Sequence, residues 1–158
     1  MDAATRLIHL LALAAYFGAT LDLVLVFLPA VEVEPDPARQ RRVLARGLRA
    51  YNVLSVGALG ALVISGASGL TDLKGRLLQD YARLLWPLVR KLSLAFALIM
   101  VGTYLAFGLA HRLVRAELGG LPVDVERQRA IVRRMRATAW VALGLAVWTA
   151  WAGIRLAP

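Results

Sequence analysis

Apolar residues fall into four long blocks, at roughly residues 5–30, 50–70, 84–111 and 137–156. A helix needs about 20 apolar residues to cross ~30 Å of hydrocarbon, and each block reaches that length. A soluble amphipathic helix would show a polar face at every turn, which these blocks lack. The pattern therefore predicts an all-α integral membrane protein, with residues 1–158 forming one transmembrane domain that folds as an up-down four-helix bundle.

The segments between the blocks mix leucine with charged residues and predict short amphipathic helices at the membrane interface. Arginines recur at helical spacing after Pro35 and Pro37, ahead of the second block. The stretch LTDLKGRLLQDYARLLWP predicts another surface segment, with Pro87 in the first turn of the third span. A turn is expected at residues 119–122. The first apolar run is longer than the ~7–15 residues of a signal peptide core, so we expect it to be retained.

Composition and charge agree with a membrane protein. The chain is 59% hydrophobic and 18% charged, with a mean hydropathy of +0.65, whereas soluble domains are about 25% charged. It has no cysteine, which excludes disulfides and thiolate metal sites within the chain.

The distribution of positive charge predicts how the chain is oriented. Most of the 19 lysines and arginines lie in the connections after the first and third blocks. The positive-inside rule places those arginine-rich loops in the cytoplasm and both termini outside a cytoplasmic (inner) membrane. Arginines beside membrane helices meet anionic headgroups, which accounts for the net charge of +9. No stretch is long enough for a basic domain that binds nucleic acid, so the predicted partner is the lipid bilayer.

Small residues form a stripe in the second block, where Gly57, Ala61, Ser65 and Gly69 recur every four residues. Small residues at this spacing let membrane helices approach closely. The stripe therefore indicates either helix packing or a groove in which a flat ligand lies against bare backbone.

Ionisable residues inside apolar helices are costly, so they are candidate functional groups. His9 lies near the outer end of the first block and shares a helix side with Tyr16. Lys91, preceded by Arg90, begins the apolar part of the third block near the same membrane face. We therefore expect His9 and Lys91 to lie in one layer of the bundle.

Asp22 lies on a different helix side and much deeper than His9, so it belongs to a separate site. Because leucines and valines flank it, we expect a hydrogen-bonding or ionic partner inside the bundle. Tyr104 and Ser55 fall at a similar depth if the helices alternate in direction, and they are the candidate partners. His111, beside Arg112, is expected at the opposite membrane interface.

Haem is the cofactor that these residues favour. A histidine in an apolar helix is a common axial ligand, and a haem needs one ligand and a flat apolar slot. A copper pathway would need several Met, His or Cys ligands, and the chain has two histidines, three methionines and no cysteine. His9 and His111 would lie roughly 25–30 Å apart at ~1.5 Å per residue, so both cannot bind one iron within a chain. His9 would bind iron alone or across a homo-oligomer.

The predicted haem site has three parts around His9, which is its metal ligand. The propionates would meet a basic cluster, the porphyrin would lie against the small-residue stripe, and Tyr16 would line the side of His9. The basic cluster consists of Lys91, Arg90 and Arg83, and the stripe is represented by Gly57 and Ala61.

The stretch LIHLLALAAYFGA resembles the first helix of the CopD-like and HemJ-like small membrane proteins, which share a Leu-His pair, an apolar run, an aromatic residue and a glycine. LLWPLVRKLSLAFALIMVGTYLAFGLAHRLVR is similar to their later helix, and ALVISGASGLTD to their second. The resemblance extends from roughly residue 5 to residue 116. The HemJ-like type implies haem b and oxidation of protoporphyrinogen IX, with the histidine and catalytic lysine roles falling on His9 and Lys91. The CopD-like type implies copper uptake.

Three functions from different classes therefore remain. The first is a haem-b-binding redox protein, whose candidate activity is that of an enzyme of the protoporphyrinogen-oxidase type. The second is a copper or other metal-ion transporter that uses His9 and Asp22. The third is a structural or accessory subunit of a homo-oligomer or larger membrane complex, in which the polar groups only orient helices.

Overall fold

The computed structural model describes residues 2–79, 81–119 and 124–154, with the backbone alone for 72–79, 81–84 and 154. Over these residues the chain is helical and contains no strand. Four helices follow one another, and the first and third each contain a π-helical segment, at Leu23–Phe27 and Tyr104–Ala110. They are α1 (Ala3–Glu32), α2 (Pro37–Gln79), α3 (residues 81–118) and α4 (Val125–Ile154).

Three helices within the described residues are long and apolar enough to cross a membrane. These segments are Ala3–Glu32, Pro37–Thr71 and Leu85–Leu118, with mean hydropathies of 2.1, 1.9 and 2.1. Only 22–28% of the residues in their most apolar windows are buried within the protein. The fourth predicted span, at residues 137–156, runs past the last described residue and stays a prediction.

Large apolar side chains point away from the protein, as lipid requires. Val53 and Trp86 are each 75% exposed, and Ile64 is 72% exposed. Soluble proteins rarely expose apolar patches that continue along whole helices. The predicted all-helical membrane class is consistent with this outward apolar surface.

Two predicted helix boundaries are wrong. The interfacial helix expected before the second span is continuous with it, because α2 runs unbroken for 43 residues from Pro37 to Gln79. Pro87 does not begin the third span either, because the helix starts at Tyr81 and Pro87 lies inside it. Charged residues change the hydropathy of a helix without ending it, so hydropathy alone placed both boundaries too close to the apolar core.

The π-helical segment of α1 ends two residues before a proline. Pro29 has no N–H to donate to the carbonyl of residue 25, and its ring crowds that carbonyl. A wider turn at Leu23–Phe27 accommodates both effects and lets the helix continue to Glu32.

The helices pack in antiparallel pairs. α1 and α2 are joined by hydrogen bonds between His9 and Ser65, Thr20 and Tyr51, and Val31 and Gln40. Residue numbers rise along α1 as they fall along α2, so the two helices run in opposite directions. α3 and α4 meet near Lys91 and Gly153 at one end, and their other ends share a buried cluster of apolar residues. That cluster contains Leu105, Leu109, Leu113, Val132, Met135 and Ala139.

Polar contacts tie the helices together at the end where the α1–α2 and α3–α4 connections lie, which we call the arginine-rich end. Gln40 donates to the Val31 carbonyl at 3.0 Å and accepts from the Gln128 amide at 3.3 Å. Arg136 of α4 binds Glu32 of α1 at 2.9 Å. These contacts join α1, α2 and α4.

At the opposite end, Asp2 starts α1 by capping it. Its carboxylate accepts a 2.8 Å hydrogen bond from the Thr5 N–H. Hydrogen bonding from Thr5 lowers the pKa of Asp2. The cap is therefore present at neutral pH and is lost as the pH falls through that lowered pKa.

Gly102 gives α3 its close approach to α1 and α2. A Cβ at this position would lie 2.8 Å from Leu59 Cδ1 and 2.9 Å from the Tyr16 hydroxyl, and Tyr16 is fully buried. We expect Gly102→Ala to destabilise the protein by about 1–3 kcal/mol, because both neighbouring side chains are buried and must shift to make room. The measurement is the thermal unfolding midpoint in detergent.

The matched control is Gly144→Ala, where a Cβ meets nothing within 4 Å. Alanine favours helix over glycine by up to about 1 kcal/mol, so this variant should be unchanged or more stable. Equal midpoints for the two variants would contradict the packing described for Gly102.

Candidate functional site

His9 and Ser65 form the polar contact between α1 and α2 at the end opposite the arginine-rich end. His9 Nδ1 lies 2.8 Å from Ser65 Oγ, and the imidazole is half-buried. Ser65 Oγ in turn donates to the Ala61 carbonyl at 2.6 Å. Serines inside membrane helices commonly return their hydroxyl hydrogen to the preceding turn in this way.

This hydrogen-bond chain determines which imidazole nitrogen is free. A serine hydroxyl has one hydrogen, and Ser65 gives it to Ala61, so Ser65 accepts the bond from His9. In the neutral ring Nδ1 therefore carries the hydrogen and Nε2 keeps its lone pair. A histidine held through one nitrogen, with the other available, is the arrangement of a metal-ligating or proton-accepting histidine.

Lys91 lies on α3 at the same end of the protein as His9, and their predicted shared layer stays a prediction. Lys91 Nζ lies 3.6 Å from the position of a Cβ added to Gly153, so it packs against bare backbone of α4. The side chain is half-buried.

The rest of the predicted haem site is not gathered around His9. Arg90 is exposed, and the side chain of Arg83 lies outside the described residues. Tyr16 is fully buried in the interior with Leu98 and Ala142, two turns from His9. The described residues therefore do not bring Arg90 or Tyr16 to His9.

The small-residue stripe of α2 contributes to two different surfaces, the contact with His9 and an outer groove. Ser65 binds His9, and the position of a Cβ on Gly66 lies 3.7 Å from His9 Cε1. Gly57 and Ala61 instead line a groove on the outer side of α1 and α2, and His9 is not among the residues that line it. The slot expected beside His9 and the groove along the stripe are therefore separate features.

Asp22 lacks the partner that its position in the sequence predicted. It is exposed, and it forms no hydrogen bond or ion pair with any described residue. Ser55 is buried and donates to the Asn52 carbonyl at 3.4 Å, while Tyr104 is 49% exposed on α3. Neither predicted contact is present among the described residues, because Asp22 is exposed on the outward side of α1 while Ser55 is buried and bonded within α2.

A second polar layer lies deeper in the protein and was not predicted as a site. Thr20 donates to the Tyr16 carbonyl at 2.8 Å, so the Tyr51 hydroxyl, at 3.4 Å, donates to Thr20. The Tyr16 hydroxyl and Asn52 Oδ1 are buried with no hydrogen-bond partner among the described residues. The sequence carries a signal for this layer, because Thr20 in the first apolar block and Tyr51 and Asn52 in the second are polar residues within apolar segments.

Within the described residues no group of three or more His, Asp, Glu or Cys side chains could hold a metal ion. Comparison of the chain with protein-family models, with curated proteins and with solved structures finds no match. The arguments about function therefore come from the geometry of the site.

The contact with Ser65 makes a prediction about the tautomer of His9. At about pH 8.5, where imidazole is ordinarily neutral, ¹⁵N NMR of the protein labelled at histidine should show His9 protonated at Nδ1. Ser65→Ala removes the acceptor and should shift His9 toward the Nε2-protonated form.

Ser68→Ala is the matched control, because Ser68 is exposed and bonds only to the Ile64 carbonyl in its own helix. It should leave the His9 signals unchanged. Protonation at Nε2 in the wild-type protein would refute the assignment of the free nitrogen.

Proposed function

We propose that this chain is a membrane protein of the CopD-like and HemJ-like type, an up-down four-helix bundle that binds haem b through His9. The observation that carries the proposal is the His9–Ser65 contact, which orients the imidazole and leaves Nε2 as a free ligand. Iron in haem b takes an imidazole nitrogen as its axial ligand. The donor at this position therefore fits the cofactor.

Lys91 supports the proposal as a cation at the same end of the protein as His9. A lysine there suits a carboxylate of the porphyrin, to which it would donate charge-assisted hydrogen bonds. Its contact with Gly153 holds the side chain against α4. An oxidative role of the HemJ-like type would give Lys91 the task of binding a porphyrinogen carboxylate, while haem would supply the one-electron redox chemistry.

A copper pathway receives less support from the described residues. Ion transport needs several successive ligand sites, and the described side chains form no group of three or more His, Cys, Asp or Glu residues that could hold a metal ion. Asp22 is not connected to His9, since it lies on another side of α1 and has no hydrogen-bond partner among the described residues.

Haem titration in detergent tests the proposal. The wild-type protein should develop a Soret band that saturates at one haem per chain, and His9→Ala should abolish it. Ser65→Ala should weaken binding about 10–100-fold, which is the usual effect of losing the group that orients a metal ligand.

His111→Ala is the matched control, because His111 is the other histidine of the chain and is exposed at the arginine-rich end. It should bind haem as the wild-type protein does. Full binding by His9→Ala would overturn the proposal.

Asp22 favours a second candidate function, that of an accessory subunit in a larger membrane assembly. An exposed carboxylate within the span Ala3–Glu32 is costly in lipid unless another chain supplies its partner. In this role the carboxylate would dock against a polar group of a neighbouring transmembrane helix.

Substitution of Asp22 tests whether its carboxylate docks against another chain or acts only within its own chain. Asp22→Leu should reduce the size of the assembly in native membrane extracts, measured by size-exclusion chromatography in a mild detergent. Asp22→Asn should keep most of it, because the amide can still hydrogen-bond. A wild-type chain that elutes as a monomer under these conditions would exclude the accessory role.

A further inference from the structure

An open groove of about 860 Å³ runs along the outer side of the α1–α2 pair, away from the His9 site. Its walls are almost entirely apolar, and many of its side chains face outward: Leu11 is 59% exposed and Val53 75%. The lining residues are Ile8, Leu11, Ala12 and Ala15 of α1, with Arg46, Arg49, Ala50, Val53, Leu54, Gly57, Ala58 and Ala61 of α2.

Two arginines make one end of this groove cationic. Arg46 and Arg49 are exposed, and neither forms an ion pair with a described carboxylate. Asp22 shares the groove side of α1, since it follows Ile8 and Ala15 at seven-residue spacing. It makes no ion pair with either arginine among the described contacts, and two cations against one carboxylate leave this end positive.

The dimensions of the groove suit an acyl chain. From Arg46 to Ala61 it extends ~22 Å along α2, at ~1.5 Å per residue. One leaflet of the hydrocarbon core is about 15 Å thick, so a chain that starts near the arginines remains inside the groove along its length. Alanines of both helices and Gly57 of α2 keep the floor shallow and free of polar groups.

We propose that this groove is a binding site for an anionic phospholipid, with the phosphate at Arg46 and Arg49 and an acyl chain between α1 and α2. Guanidinium groups bind phosphate oxygens through paired hydrogen bonds, and basic pockets between membrane helices bind anionic headgroups. Charge complementarity selects this occupant over a zwitterionic lipid. The site is independent of the proposed haem function, because none of its lining residues contacts His9 in the described hydrogen bonds.

The test is competition between lipids for the purified protein, followed by native mass spectrometry of the bound molecules. The full chain is exchanged into detergent with equal amounts of phosphatidylglycerol and phosphatidylcholine. The wild-type protein should retain phosphatidylglycerol at least about tenfold more than phosphatidylcholine, as expected for two arginines at a membrane surface. The double variant Arg46→Gln/Arg49→Gln should lose that preference.

The matched control is Arg133→Gln/Arg134→Gln, which removes two exposed arginines from α4 and should keep the preference. A second variant fills the groove: Gly57→Phe, where a Cβ meets nothing within 4 Å, should lower the amount of bound phosphatidylglycerol. Gly144→Phe, at an equally open position of α4, should not.

Two results would overturn the proposal. One is an unchanged phosphatidylglycerol preference in the Arg46→Gln/Arg49→Gln variant. The other is a lipid-free dimer that Gly57→Phe dissociates, because a second copy of the chain would then occupy the groove.

Discussion

The absence of water from the hydrocarbon core is the constraint on which the rest of this structure depends. Every polar group inside the membrane must find its partner within the protein. α1 and α2 meet part of this requirement together, through His9 with Ser65 at one end, Thr20 with Tyr51 in the middle and Val31 with Gln40 at the other, while the Tyr16 hydroxyl and Asn52 Oδ1 have no partner among the described residues. These contacts fix the antiparallel register of the pair. The register in turn positions His9 and determines which residues line the lipid-facing groove.

The same pairing gives α1 two chemically different sides. The side with His9, Tyr16 and Thr20 faces the interior and carries the oriented imidazole. The side with Ile8, Ala15 and Asp22 faces outward, and the part that carries Ile8 and Ala15 forms one wall of the groove. A cofactor at His9 and a lipid in the groove would therefore occupy different surfaces of one helix. Small residues on α2 make both possible, because Gly66 lies under the imidazole while Gly57 lines the groove.

Hydrophobic periodicity predicts only part of this arrangement. It identifies the apolar core of three spans, because a helix needs about 20 apolar residues to cross the hydrocarbon. It does not predict the continuity of α2 through its arginines, nor the wide turn before Pro29, since both depend on backbone hydrogen bonds that composition does not encode. The partners predicted for Asp22, Tyr104 and Ser55, were chosen only by their similar depth in the membrane. Which side of α1 meets α2 is decided by packing between helices that are distant in sequence.

The central claim is that His9 is held by Ser65 so that its other nitrogen binds haem b. The most direct measurement is the visible absorption spectrum of the wild-type protein, purified from haem-replete cells and recorded before and after reduction by dithionite. The account predicts a Soret band that sharpens and shifts on reduction, with the α and β bands of a b-type haem. A colourless preparation from which no haem can be extracted would contradict it.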